Sequence, residues 1–235
     1  MTTENVKPFV SAHPDPENES PWAMQLVVNE NHLATPLELA HATSHAVLEY
    51  LATATVDPAR GAAVTRWMEG RIRKILRRAK NARWEALEAE DGLTTTTGNV
   101  SVRVFTPCSM DEIPKNISRC QVSNLKTADE KQAEIADEVE AYSPPLTIFQ
   151  NRSLGMSPAK AAIAAAHVAH LVSDRMDDEV YAEWKSKGFP LAVSTLGEIS
   201  NAVADSATVA IRDAGLTEVV PGSVTAIGFF DLKLL

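Results

Sequence analysis

Thr35-Pro-Leu-Glu-Leu-Ala-His-Ala-Thr-Ser-His45 lies without a gap over Ser157-Pro-Ala-Lys-Ala-Ala-Ile-Ala-Ala-Ala-His167, and this pairing decides how the chain is organised. Each segment opens with a hydroxyl residue followed by proline. A hydroxyl at that point accepts a bond from a first-turn N–H, and proline, which has no N–H to lose, fits the first helical position. Glu38 completes a capping box with Thr35. Both helices follow a short apolar run that ends in Asn: Trp22-Ala-Met-Gln-Leu-Val-Val28 before Asn29, and Leu146-Thr-Ile-Phe-Gln150 before Asn151. Runs of this length and content read as buried strands. Three more matches follow in the same order. Trp67 falls over Trp184, Asp91-Gly-Leu-Thr94 over Asp213-Ala-Gly-Leu-Thr217 with one gap, and Gly98-Asn-Val-Ser101 over Gly222-Ser-Val-Thr225. Matches that keep one order along the chain imply a tandem duplication.

Other segments fill in the pattern. Asn99–Phe105, Thr208–Ile211 and Ser223–Ile227 read as strands, a short strand lies near Leu191–Val193, and Leu196–Ala204 reads as a helix. Trp67–Ala89 fits either a strand or a helix face. Strands that alternate with helices build α/β layers. The expected fold is therefore two tandem small α/β layer domains. Each is a mixed sheet of about four strands with helices on both faces, and the two pack as a pseudo-dimer within one chain. The expected boundaries are a flexible tail over 1–20, a first domain over 21–126, an acidic helix or linker over 127–144 and a second domain over 145–235.

Composition narrows the functional classes. The 235 residues are 45% hydrophobic and 23% charged, as in ordinary globular proteins. Cys108 and Cys120 are too few for a disulfide framework or a thiolate zinc site, and they read as small buried residues in a reducing cytoplasm. The polar start of the chain lacks the apolar stretch of a signal peptide. The apolar run Ala161–Val172 is too short to span a bilayer and is broken by His167 and His170. The expectation is a cytoplasmic protein with no membrane partner. The net charge of −9 disfavours DNA, but its distribution is uneven. Residues 127–142 hold one Lys against six Asp and Glu, whereas Arg71, Arg73, Lys74, Arg77, Arg78, Lys80 and Arg83 form a basic stretch.

Three pieces of the second half carry chemistry. Lys160 sits in the first turn of its helix, where free N–H groups and the dipole already favour an anion, and His167 follows two turns later on the same face. By themselves these read equally as a surface lysine and a core histidine. Asp213, Gly215 and Thr217 form a strand-end turn, whose plain reading is an Asp and a Thr bonding local backbone. Pro221-Gly222-Ser-Val-Thr225 feeds a strand, on which Thr225 is also an ordinary β-branched residue.

Taken in order, these pieces resemble the type 2 peptidyl-tRNA hydrolase family. Its pattern is a strand, a lysine-containing helix start leading to His, a central Trp, an Asp-Ala-Gly-[Lys/Arg]-Thr-Gln turn, a Pro-Gly-Thr-x-Thr strand entry and a Leu-Lys-Leu-like tail, here Asp231-Leu-Lys-Leu-Leu235. The resemblance covers Pro145 to Leu235, and the first half looks like a diverged copy. It implies that Lys160, His167, Asp213, Thr217 and Thr225 occupy active-site positions. It also implies a peptidyl-tRNA substrate and no metal or other cofactor. The family's helix Gln falls on Ala164, its basic residue before the Thr on Leu216, and its following Gln on Glu218. Ser157-Pro158-Ala159 replaces a glycine-lysine pair. In the first half His45, Asp91, Thr94 and Ser101 lie over the site positions, but Glu38 stands where the lysine should be, so that half reads as catalytically silent. Ser109–Lys126 corresponds to the family's C-terminal segment.

The expected activity is hydrolysis of the peptidyl-tRNA ester. Lys160 would stabilise negative charge, Asp213 would orient water, Thr217 and Thr225 would relay hydrogen bonds and His167 would support them. Arg71, Arg73, Lys74, Arg77 and Arg78 are the candidate tRNA contacts. Two alternatives share the fold: a silent RNA- or protein-binding module, and a hydrolase of some other small amide or ester.

Overall fold

A computed structural model describes residues 19–54, 56–128 and 144–235. The expected N-terminal tail up to residue 18 and most of the acidic linker, residues 129–143, lie outside the described residues.

The first half runs β1 (Trp22–Asn29), α1 (Pro36–Ala54), α2 (Pro58–Met68), β2 (Arg73–Ala79), α3 (Ala82–Glu85), β3 (Gly92–Thr97), β4 (Val100–Phe105), β5 (Cys108–Ser109) and α4 (Lys115–Ser118). The second runs β6 (Leu146–Asn151), α5 (Pro158–Asp174), α6 (Asp178–Ser186), β7 (Leu191–Leu196), α7 (Asn201–Ser206), β8 (Val209–Arg212) and β9 (Val224–Phe230). Short 3-10 turns follow α3, β6 and β9. The two sheets have the same plan. Their strand orders are β2-β1-β4-β3 and β7-β6-β9-β8, with the first pair parallel and the others antiparallel in each. β5 extends the first sheet by pairing with the start of β1, so that sheet has one strand more than expected.

Register carries the duplication to single residues. Val28 pairs with Val102 and Gln150 with Ala226, which makes Ser101 and Thr225 equivalent, as the sequence alignment has them. The two tryptophans are equivalent in chemistry as well. Both are fully buried, and each donates its indole N–H to the carbonyl six residues on: Trp67 to Arg73 at 3.0 Å, Trp184 to Pro190 at 3.1 Å. An indole N–H has to find an acceptor when it is buried, so each Trp ties the end of a helical segment to the start of the parallel strand that follows.

The Asp91–Thr94 match does not hold. Asp91 immediately precedes β3, whereas Asp213 follows β8, the strand equivalent to β3. The two segments therefore lie at opposite ends of corresponding strands. Gly92–Thr97 is a strand that sequence reading missed, because a run of threonines hides its alternation of exposed and half-buried positions. The ambiguous stretch Trp67–Ala89 resolves into the end of α2, then β2, α3 and a 3-10 turn. The helix expected over Leu196–Ala204 begins only at Asn201, capped by the Ser200 hydroxyl bonding Val203 N–H at 3.3 Å.

The helix starts follow their sequence. Thr35 N–H donates to Glu38 Oε2 at 2.8 Å and Glu38 N–H to Thr35 Oγ1 at 3.2 Å, a closed capping box. Ser157 Oγ accepts from Lys160 N–H at 3.3 Å.

The halves meet across α1 and α5, which pack on one another between the sheets and share one core. Both helices are rich in buried alanine, Ala40, Ala42 and Ala46 in α1 and Ala162, Ala165, Ala166 and Ala169 in α5. Small side chains let helix axes approach closely. Each helix also reaches the other half's parallel strand. His41 Nε2–H donates to Leu191 O at 3.1 Å and His45 Nε2–H to Gly188 O at 3.0 Å, while Lys74 of β2 reaches α5. Short helices cover the outer faces: α3 and α4 lie over Val27 and Phe105, with Ile117 of α4 buried among them, and α7 lies over Ala210 and Ile227, with its own Ala204 buried. Among the described residues no helix is long and apolar enough to cross a membrane.

β9 passes so close to α5 that a Cβ on Gly228 would lie 2.3 Å from Val168 Cγ1. Gly228→Ala is therefore expected to destabilise the fold by about 1–3 kcal/mol, the usual cost of overfilling a packed core. Urea unfolding checks it, and an unchanged midpoint would show that the strand can shift freely.

Candidate active site

The site begins with a turn that only its sequence permits. Asp213 N–H donates to Ser223 O at 2.9 Å and Gly222 N–H to Asp213 O at 2.7 Å, closing the β8–β9 connection into a loop. Within it Asp213 Oδ1 accepts from Gly215 N–H at 2.7 Å. Gly215 has φ +74°, and a Cβ there would run into the Pro221 ring at 2.2 Å. Glycine is required on both counts. The loop faces the start of α5, and Lys160 Nζ donates to Asp213 Oδ2 and, at 2.9 Å, to Thr217 Oγ1. Lys160 and Asp213 are largely buried, with 16% and 15% of their side chains exposed.

Glu218 has a position in this assembly that sequence comparison alone did not suggest. Its carboxylate accepts from Ser157 N–H at 2.7 Å and from Ser157 Oγ–H at 2.6 Å. In α1 the acid at the third helical position closes the capping box; in α5 that position is Lys160, and Glu218 supplies the missing carboxylate from across the loop. Glu218 thus clasps the loop that carries Asp213 and Thr217 onto the helix that carries Lys160.

The other two predicted site residues stand nearby but apart. Thr225 is 1% exposed and donates its hydroxyl to Ile211 O at 3.3 Å, beside a β-bulge at Ile211/Arg212. His167 points its Nδ1 at Lys74 Nζ, 3.1 Å away. Both line the same cleft as Lys160, Asp213 and Thr217 without bonding to them. The sequence thus names five residues, of which the fold joins three by hydrogen bonds.

The cleft has a volume of about 830 Å³ and lies between the halves. Ile72, Ile163, Ile211 and Leu216 give it an apolar lining, and Arg71, Arg73, Lys74 and Arg77 line it from the first half. Arg78, the fifth candidate tRNA contact, does not line the cleft. Its guanidinium is held by Glu30 Oε2 at 2.7 Å, Ser123 O at 2.8 Å and Gln121.

A cluster that sequence reading did not assemble lies behind this wall. Lys74 Nζ donates to His167 Nδ1 and His170 Nδ1, each at 3.1 Å, and sits 5.0 Å from the centroid of the Trp67 ring, which stacks on His170. Burial holds the Lys74 ammonium well below the ordinary lysine range. Burial, and then the neighbouring Lys74, hold both imidazoles well below theirs. His41 is lowered as well, first by burial. The visible signal was the pair His167 and His170, three residues apart on an otherwise apolar helix; the lysine it meets is 93 residues away.

These histidines set a pH dependence. Their folded-state pKa values are depressed, so below the ordinary value of about 6.5 the unfolded chain takes up protons that the folded one does not. Stability is expected to fall as pH drops from about 7 to 5. Thermal melting at the two pH values checks it, and an equal or higher melting point at pH 5 would contradict it. Asp91, lowered chiefly by its bond with Arg60, acts only below this window.

In the first half the equivalent of Lys160 is Glu38, closed in its own capping box, and Asp91 is paired with Arg60 at 2.5 Å. No described residue of that half reproduces the Lys160 cluster. Among the described residues no three His, Cys, Asp or Glu side chains converge as a metal site. Compared with known proteins, the chain matches no protein-family model and no curated protein.

Proposed function

We propose that the protein hydrolyses the ester joining a peptide to the 3′ end of tRNA, with Lys160, Asp213 and Thr217 as the working group. The observation that carries this reading is the single ammonium of Lys160 bonded to both Asp213 and Thr217, more than 50 residues away, at the mouth of a cleft with a basic wall. Ester hydrolysis needs an oriented water and a group that meets the charge of the tetrahedral intermediate. Asp213 accepts a hydrogen bond from the attacking water, whose oxygen bonds to the ester carbon while the carbonyl oxygen becomes an oxyanion. Lys160 stabilises that oxyanion. Thr217 already accepts from Lys160, so its own O–H is free to donate. As the water adds, Asp213 takes one of its protons; collapse breaks the bond to the ribose oxygen, which receives that proton from Asp213, giving tRNA and a peptide carboxylic acid that ionises to solvent. Thr225 and His167 shape the cleft beside this group.

The apolar lining favours one competitor, a hydrolase of a small hydrophobic ester or amide. The test is release of labelled peptide from purified peptidyl-tRNA by the full chain, run beside a small ester substrate. Release from peptidyl-tRNA alone is the expected result; release from the small ester alone transfers the site to the competitor.

A further inference from the structure

We propose that the wall which the N-terminal half contributes to the cleft is a phosphate-binding surface, with Arg71, Lys74 and Arg77 holding phosphate groups of the ligand. Lys74 and Arg77 are 7% and 9% exposed, and neither meets a carboxylate among the described residues. Lys74 bonds only to two imidazole nitrogens and lies against Trp67. Arg77 donates Nε–H to Gln25 Oε1 and Nη1–H to Cys120 O, both at 2.9 Å. Arg71 has a buried Nε with no hydrogen-bond partner.

A buried cation is costly unless an anion answers it, and a guanidinium does not escape the cost by losing its proton. Elsewhere the chain does supply acids: Arg60 has Asp91, Arg66 has Glu69, Arg78 has Glu30 and Arg212 has Asp205. Against this wall the described residues supply none, and all three basic side chains line the cleft that holds Lys160. Two guanidinium groups, with a lysine amine whose charged form a bound anion would restore, exceed what one carboxylate can satisfy, and guanidinium forks match the oxygens of phosphate. The apolar lining takes the uncharged part of the ligand. Phosphate could come from the phosphodiester backbone of a single-stranded 3′ end or from a small phosphorylated molecule. Placing the reacting bond at Lys160 rests on the ester-hydrolysis reading; the phosphate wall does not.

The test uses the full chain, Lys74→Met and Arg77→Gln, with two probes: a short labelled single-stranded RNA ending in a 3′-hydroxyl, and pyrophosphate. Each substitution is expected to weaken binding at least tenfold and to flatten the dependence of Kd on salt. Without ligand, Lys74→Met is expected to melt at a higher temperature than the wild type, which shows that the variant is folded and that Lys74 is not retained for stability. RNA binding competed by pyrophosphate supports the wall with a nucleic-acid backbone. Pyrophosphate binding without RNA binding supports the wall but removes the tRNA substrate. Binding that ignores both substitutions, or no binding of either probe to the wild type, overturns the wall. RNA binding through the wall with no peptide release overturns the hydrolysis reading alone.

Discussion

Lys160→Ala and Asp213→Asn are each expected to lower peptide release by about 10²–10³, the usual loss when one preorganised charge-stabilising group is removed. The fold should survive both changes. Lys160 lies at the first turn of α5 and Asp213 at the mouth of a loop, so neither deletion opens a core cavity. The Asn variant keeps an oxygen to accept from Gly215 N–H, and so keeps the turn. Because the two side chains touch, their losses should not add, and the double variant should be about as slow as the slower single one. Glu38→Ala, by contrast, should leave release unchanged and cost about 1 kcal/mol of stability through the lost capping box. Release at the wild-type rate by either folded site variant would refute the assignment, and melting curves recorded on the same samples establish that they are folded.

The second large effect is expected from cutting the chain. Residues 144–235 expressed alone should not give a stable monomer. In α5 nine residues are buried, among them Leu171 and Val172, and α1 packs along this helix. Fully burying one aliphatic side chain contributes about 1.5–3 kcal/mol, so uncovering a few of them removes an amount comparable with the whole stability of a small domain. Among the described residues, the other face of the second sheet has only the short α7 and a small cluster around Ile199, Ala210, Val224 and Ile227. The fragment should self-associate through the uncovered helix or aggregate, and co-expression with residues 19–128 should recover a soluble pair. Light scattering and sedimentation read the mass directly. A soluble, fully active monomer of 144–235 would mean that the interface between the halves contributes little.

Much of the fold was legible because local chemistry decides it. Thr35, Pro36 and Glu38 define one helix start and Ser157-Pro158 the other, and strand-helix alternation sets the layers. Where reading failed, the information was not local. Arg73–Ala79 is a strand whose basic residues mask its inward positions Lys74 and Leu76. Asp91-Gly-Leu-Thr94 matches Asp213–Thr217 apart from one gap, yet strand pairing puts the two at opposite strand ends. The candidate site divides the same way. The Asp213 turn and the Lys160 helix start could be seen in the sequence, and their meeting could be expected from a resemblance. Lys74 between His167 and His170 could not, because it depends on how one half docks on the other. Glu218 was visible only as a departure, and its bond to Ser157 gives that departure a purpose.

Lys74 lies opposite Met24 in the register of the first sheet, and Leu191 lies opposite Leu146, the same place in the second. In a dimer of identical subunits any residue at this position would occur twice, so a buried lysine would burden both sides of the axis. Covalent fusion removes that constraint. A substitution can be confined to one copy, and its cost in stability is incurred once instead of twice. The difference between lysine at 74 and leucine at 191 is one that a symmetric ancestor could not have held. The shared plan of the two sheets carries the duplication, and positions such as 74 and 191 are where each copy can change alone.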